Sequence, residues 1–104
     1  MSSISSELLG AALRMKWDHG LVGTERGIQL LAERVPGFTA SQYAEAGRLA
    51  AVLDGSAYEL ASAWFASQGQ APMPTSKELE SLCPGFARAD YVDAIQNNIL
   101  WARK

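Results

Sequence analysis

The chain has little of the chemistry that enzymes, metal centres and disulfide-stabilised proteins use. Its 104 residues include one cysteine, Cys83, and one histidine, His19. A single cysteine cannot form an intrachain disulfide, so a disulfide-stapled secreted scaffold is excluded and a reducing compartment fits best. A catalytic triad or a metal centre needs several base-type or ligand-type side chains that converge. We therefore expect a non-enzymatic protein without cofactor or metal.

Long apolar runs and an excess of one charge are also missing. No apolar run approaches the roughly 18 residues that span a bilayer, and the N-terminus lacks the basic flank and apolar core of a signal peptide. The net charge is −2, with five basic and five acidic side chains in residues 1–50 and four and six in residues 51–104. A nucleic-acid-binding protein usually carries a basic stripe. We expect a cytoplasmic protein with no membrane contact, and nucleic acid is a disfavoured partner.

The composition is that of a folded chain, with 48% hydrophobic and 19% charged residues. A length of 104 residues is close to the commonest size of a single domain, so residues 1–104 are read as one domain. Apolar residues recur at spacings of three and four, and no stretch alternates with the period of two typical of a strand. The pattern predicts an all-α fold of about six short helices.

One pattern of five residues occurs twice. The copies are Pro36-Gly37-Phe38 with Tyr43 and Ala46, and Pro84-Gly85-Phe86 with Tyr91 and Ala94, at a constant offset of 48 positions. We interpret this as an internal duplication with halves at about 5–53 and 54–101. Each half is predicted to be a three-helix unit, and the two units to close on one another as one compact bundle.

The repeated pattern has the chemistry of a joint between helices. Proline and glycine end one helix. In the first copy, Thr39 as N-cap and Gln42 three residues later form a capping box, while Phe38 and Tyr43 form a hydrophobic staple. In the second copy, Phe86 and Tyr91 keep the staple, but position 87 is alanine, which cannot cap. Between the copies, Asp54-Gly55 predicts a helix break.

Several side chains are candidates for a functional surface. Exposed tyrosine, tryptophan and methionine are frequent in protein interfaces, and three such residues fit the predicted helical core poorly. Asp90 and Asp93 lie one turn apart on the last helix and could accept a cation or a proton, although a solvated helix face is the ordinary role of such a pair. The candidate interface residues are Tyr58, Met73, Trp101, Asp90 and Asp93.

Part of the chain resembles ubiquitin-associated domains. Between Val35 and Gly69 it has a Gly37-Phe38 loop, an alanine eight residues after the phenylalanine, a predicted turn at Asp54-Gly55, and then the segment 59–65. The resemblance implies a peptide-binding face formed by the loop and a third helix. The chain departs from the family pattern in having Pro36 where methionine is usual, and no ubiquitin binding is inferred.

The leading hypothesis is a small protein that acts by binding another protein, as an adaptor, inhibitor or immunity-type module of bacterial or phage origin; homodimerisation stays open. A second hypothesis is a helical nucleic-acid-binding or transcription-regulatory module. A third is a small-ligand carrier or enzyme with a pocket between the two halves.

Overall fold

A computed structural model describes residues 5–19, 24–70 and 73–102. All regular structure in these residues is helical, which confirms the predicted fold class. The five helices are α1 (Ser6–His19), α2 (Glu25–Arg34), α3 (Ala40–Ala66), α4 (Ser76–Leu82) and α5 (Arg88–Ala102). The number of helices predicted, six, was wrong, because the predicted third and fourth helices form one element.

The helix α3 continues through Asp54-Gly55, where a break was expected. Its 27 residues span about 40 Å at 1.5 Å per residue, close to the longest dimension of the molecule, 45 Å. A glycine in a helix interior costs about 1 kcal/mol relative to alanine. This cost is offset because Leu53 and Ala57, on either side of the glycine, are both fully buried. The turn that the ubiquitin-associated resemblance requires is therefore absent at Asp54-Gly55.

All the other helices pack on α3, which forms the centre of the molecule. Its buried face is rich in small residues, including Ala46, Ala50, Ala57 and Ala61, and small side chains let neighbouring helices approach closely. The N-terminal part of α3 belongs to the first predicted half and its C-terminal part to the second. Both halves therefore contribute to one continuous hydrophobic core.

Three threonines cap helix N-termini, and the cap at Thr39 is predicted from the sequence. Thr24 accepts a hydrogen bond from Gly27 N at 3.0 Å, and Thr75 accepts one from Glu78 N at 3.2 Å. Thr39 Oγ1 accepts from Gln42 N at 3.2 Å while Gln42 Oε1 accepts from Thr39 N at 2.8 Å. This reciprocal pair is the capping box predicted at the start of α3.

The first joint, between α2 and α3, is closed by a tyrosine hydroxyl. Tyr43 OH donates to Val35 O at 2.7 Å and accepts from Phe38 N at 3.3 Å. The rings of Phe38 and Tyr43 meet edge to face with centroids 5.9 Å apart. Gly37 has a φ of 106°, a left-handed conformation that favours glycine.

The second joint, between α4 and α5, repeats this geometry. Tyr91 OH donates to Cys83 O at 2.7 Å and accepts from Phe86 N at 3.2 Å, and the Phe86 and Tyr91 centroids are 5.8 Å apart. Gly85 has a φ of 107°. Burial raises the pKa of the Tyr91 phenol above its usual value, because the low-dielectric surroundings disfavour the phenolate.

The helices α1 and α5 meet at a glycine. A Cβ atom added at Gly10 would lie 2.7 Å from Asp90 Oδ2 and 3.0 Å from Arg14 Nη1. The Asp90 carboxylate is buried and forms an ion pair with Arg14, Nη2 to Oδ1 3.1 Å. The missing side chain at position 10 thus provides the space in which a buried carboxylate is neutralised.

Replacing Gly10 by alanine is therefore expected to destabilise the protein by about 1–3 kcal/mol, since the buried Asp90 side chain must shift to make room. This reverses the usual effect of alanine in a helix interior, which stabilises by roughly 0.5–1 kcal/mol. Gly55 is the matched control, because a Cβ there meets nothing within 4 Å. Urea unfolding of both variants measures the difference, and equal midpoints would contradict the close packing at Gly10.

Within residues 5–19, 24–70 and 73–102, none of the helices combines the length and apolarity needed to cross a membrane.

Candidate functional site

An open cleft of about 530 Å³ lies where α1, α3 and α5 converge. We call it the Asp54 cleft. Its lining residues are Lys16 and Trp17 of α1, Asp54, Gly55 and Tyr58 of α3, and Asn97 and Asn98 of α5. The cleft lies where the two predicted halves meet, because Asp54 begins the second half.

Asp54, on α3, contacts side chains of both α1 and α5. Its Oδ1 accepts hydrogen bonds from Trp17 Nε1 at 3.0 Å and from Asn98 Nδ2 at 2.9 Å. Its Oδ2 lies 3.7 Å from Lys16 Nζ. These partners stand 37 and 44 positions away in sequence, so the residue predicted to end a helix instead connects distant parts of the chain.

Asn98 is held in one orientation by its amide nitrogen. Nδ2 donates to Asp54 Oδ1 and also to Ala94 O, at 2.8 Å, and the residue is 3% exposed. Both amide hydrogens are thus used, and the side chain cannot rotate without losing a hydrogen bond. The hydrogen bond to Asp54 joins α5 to α3.

Tyr58 lines the cleft with an aromatic ring that the fold does not bury. Its exposed fraction is 48%. Gly55, one turn before Tyr58 on α3, leaves open space, since nothing lies within 4 Å of a Cβ built there. The combination gives a polar floor, formed by Asp54 and Asn98, with an accessible aromatic side chain beside it.

The other predicted interface residues lie elsewhere. Met73 is exposed in the segment before α4. Asp93 is half exposed, with Oδ2 3.9 Å from Arg14 Nη2. Asp90, expected on an accessible helix face, is 3% exposed and is already paired with Arg14, so a partner cannot reach it. The side chain of Trp101 lies outside the described residues.

Cys83 is not among the residues that line the Asp54 cleft. It is buried, with Sγ 3.9 Å from Ser56 Oγ. The side chain of His19 lies outside the described residues.

Sequence reasoning missed the residues that form the floor of the cleft. Asp54 followed by glycine favours a turn. This local signal led to the prediction that Asp54 ends a helix, and its role in the cleft was missed. Trp17 and Asn98, its hydrogen-bond partners, were not identified either. No short-range pattern links positions 17, 54 and 98, since they come together only through the crossing of three helices.

A smaller depression of about 190 Å³ lies at the C-terminal end of α3. Trp64 and Phe65 line it and stack edge to face with centroids 4.7 Å apart. Gln68 and Gly69 also line it and contribute no charge. It has fewer polar groups than the Asp54 cleft and is a weaker candidate for a specific site.

In the part of the chain that the structure describes, no group of three or more histidine, cysteine, aspartate or glutamate side chains could hold a metal ion. Comparison with protein-family models, with curated proteins and with solved structures gives no significant match. The chain's own geometry must therefore carry the functional argument.

Proposed function

We propose that this chain is a non-enzymatic module that binds another protein through the Asp54 cleft. The observation that carries the proposal is the 48% exposure of Tyr58 beside a rigid polar floor. The exposed half of the tyrosine ring contributes little to the stability of the fold. Tyrosines at the centre of interfaces, in contrast, are among the residues that contribute most to binding. The partner then covers Tyr58 and places one or two side chains in the cleft.

The internal hydrogen bonds of the cleft support binding over catalysis. Asp54 Oδ1 is already engaged by two donors, from Trp17 and Asn98. This oxygen already serves as an acceptor within its own protein. A general base must also reach the proton that it removes, and the engaged Oδ1 is turned towards its own protein.

The distribution of basic side chains supports a protein partner over nucleic acid. Three of the seven basic side chains in residues 5–19, 24–70 and 73–102 face carboxylates: Arg14 pairs with Asp90, Lys16 with Asp54 and Arg48 with Glu45. Basic groups that already face carboxylates gain less from phosphate contacts. A transcription-regulatory module is thus the weaker alternative.

A small-ligand carrier is the second candidate function, because the Asp54 cleft lies between the predicted halves, as that hypothesis requires. Its volume of about 530 Å³ falls in the usual range for ligand pockets, roughly 300–1,000 Å³. Such pockets normally enclose most of their ligand, whereas this one is an open cleft. The open shape favours a protein segment.

The proposal predicts that a photo-reactive p-benzoylphenylalanine at position 58 captures the partner in the native host, identified by mass spectrometry. Without the label, Tyr58→Ala is expected to weaken co-purification of that same partner by about tenfold or more, as for a central interface tyrosine. The stability of the Tyr58→Ala variant should differ little from that of the unchanged protein, because the ring is half exposed.

Val92 is the matched control, since it is 40% exposed and does not line the cleft. The label at position 92 should capture no partner, and Val92→Ala should leave co-purification unchanged. Capture from position 92 but not from position 58 would place the partner on another surface. Failure of both labels, with no protein co-purifying, would contradict the proposed function.

We further infer that the two predicted halves arose by duplication of one three-helix unit. The likeness of the two joints supports this origin: the hydroxyls of Tyr43 and Tyr91 make equivalent hydrogen bonds. Gly37 and Gly85 also have nearly equal φ angles, 106° and 107°.

A further inference from the structure

The Asp54 carboxylate is used unevenly by its own protein. Oδ1 accepts two hydrogen bonds, from Trp17 and Asn98. Oδ2 has only Lys16 Nζ nearby, at 3.7 Å, which exceeds the usual 2.7–3.2 Å of a hydrogen bond. Within the described part of the chain, Oδ2 thus has a charged partner but accepts no hydrogen bond.

Asn98 contributes a second acceptor. Its Nδ2 atom donates both of its hydrogens, to Asp54 and to Ala94, which identifies the other amide atom as the carbonyl oxygen. That oxygen accepts no hydrogen bond from any residue that the structure describes, and Asn98 lines the cleft. Since no buried side-chain oxygen of the described residues lacks a hydrogen bond, this oxygen is reached by solvent from the cleft and can accept a hydrogen bond from an external donor.

Asp54 Oδ2 and Asn98 Oδ1, which accept no hydrogen bond from the described residues, define together with the aromatic rings what the cleft can bind. A ligand group must donate several hydrogen bonds and should carry a positive charge to pair with Asp54. A guanidinium group has five N–H donors in a plane and stacks on aromatic faces, which Trp17 and Tyr58 supply. An ammonium group has three donors and no flat face, so it uses this arrangement less completely.

We propose that the Asp54 cleft receives an arginine side chain of the partner protein, an inference that rests on the proposed function. The guanidinium donates to Asp54 Oδ2 and Asn98 Oδ1 and stacks against Tyr58. Lys16 has to give way, because it carries the same charge. Its side chain is 31% exposed and its contact with Oδ2 is long, so it can turn into solvent with little loss.

The test uses the full chain and three short peptides, acetyl-Gly-X-Gly-amide with X as arginine, lysine or citrulline. The indole N–H of Trp17 and the side-chain amide of Asn98 give resolved signals in ¹H–¹⁵N NMR spectra. Saturable shifts of these signals are expected with the arginine peptide. The citrulline peptide has nearly the same shape without the charge. Its affinity is expected to be lower by about tenfold or more, since charge-assisted hydrogen bonds are the stronger ones.

Two variants locate the binding. Asp54→Asn is expected to lower the affinity for the arginine peptide by about tenfold or more, because the amide keeps the shape of the side chain but removes its charge. Asp93→Asn, at an exposed carboxylate outside the cleft, should change nothing. If Asp54→Asn disturbs the backbone spectrum, Tyr58→Ala carries the test, since its ring is half exposed and its loss removes the stacking face.

Equal shifts with all three peptides, or none with arginine, would overturn the arginine proposal. Capture of a partner from position 58 could still succeed, so the protein-binding proposal would survive that result. If the arginine peptide binds specifically but no protein partner is captured, the proposed function fails and the arginine proposal fails with it. The cleft would then bind cations whose source is not a protein.

Discussion

Replacing Phe86 by alanine is expected to lower the free energy of unfolding by about 3–5 kcal/mol, the usual cost of removing a buried aromatic ring. Phe86 is 8% exposed and packs edge to face on Tyr91. A loss of this size is a large part of the roughly 5–15 kcal/mol that stabilises a small domain. Urea unfolding followed by circular dichroism measures it.

Phe38 is the matched control at the first joint. The duplication alone predicts the same cost there, but Phe38 is only partly buried, so we expect Phe38→Ala to cost less, about 1–3 kcal/mol, in proportion to the apolar area removed from water. An unchanged unfolding midpoint for Phe86→Ala, or a larger loss for Phe38→Ala, would show that the second joint is not the better packed one.

Tyr91→Phe is expected to cost about 2–4 kcal/mol, although it removes a single oxygen atom. The hydroxyl joins Cys83 O to Phe86 N inside the protein, and removing it leaves a buried donor and a buried acceptor without partners. Each such group costs roughly 1–3 kcal/mol. The same unfolding measurement reports the loss.

Tyr43→Phe provides the comparison, because its hydroxyl makes the equivalent hydrogen bonds to Val35 O and Phe38 N in a partly exposed setting. Water can replace the hydroxyl there, so we expect a loss of about 0.5–1.5 kcal/mol, typical of an ordinary hydrogen bond. Equal losses in the free energy of unfolding for the two substitutions would show that the Tyr91 hydroxyl is no better shielded from water than the Tyr43 hydroxyl.

Local chemistry predicted much of this fold. The N-cap Thr39 was identified because a threonine followed three residues later by glutamine is a short-range signal. The Phe and Tyr pairs at the two joints were identified in the same way, since five positions separate the partners. Such features are encoded within about one helical turn and do not depend on how the helices pack.

The continuity of α3 and the Asp54 cleft could not be predicted from local chemistry. Asp54-Gly55 has the composition of a turn, and only hydrogen bonds from Trp17 and Asn98, tens of positions away, show why it is helical. Asp90 is a similar case, because a carboxylate in the first turn of a helix is normally solvated, and its burial depends on Gly10 and Arg14 of α1. In each case tertiary contacts outweighed the local preference.

Because α3 runs without a break from one predicted half into the other, the two halves lack a hinge between them. Unravelling either end of this helix exposes apolar surface on which the opposite half depends. The consequence is thermodynamic coupling: neither half can open alone, and the whole molecule should lose its structure as one cooperative unit.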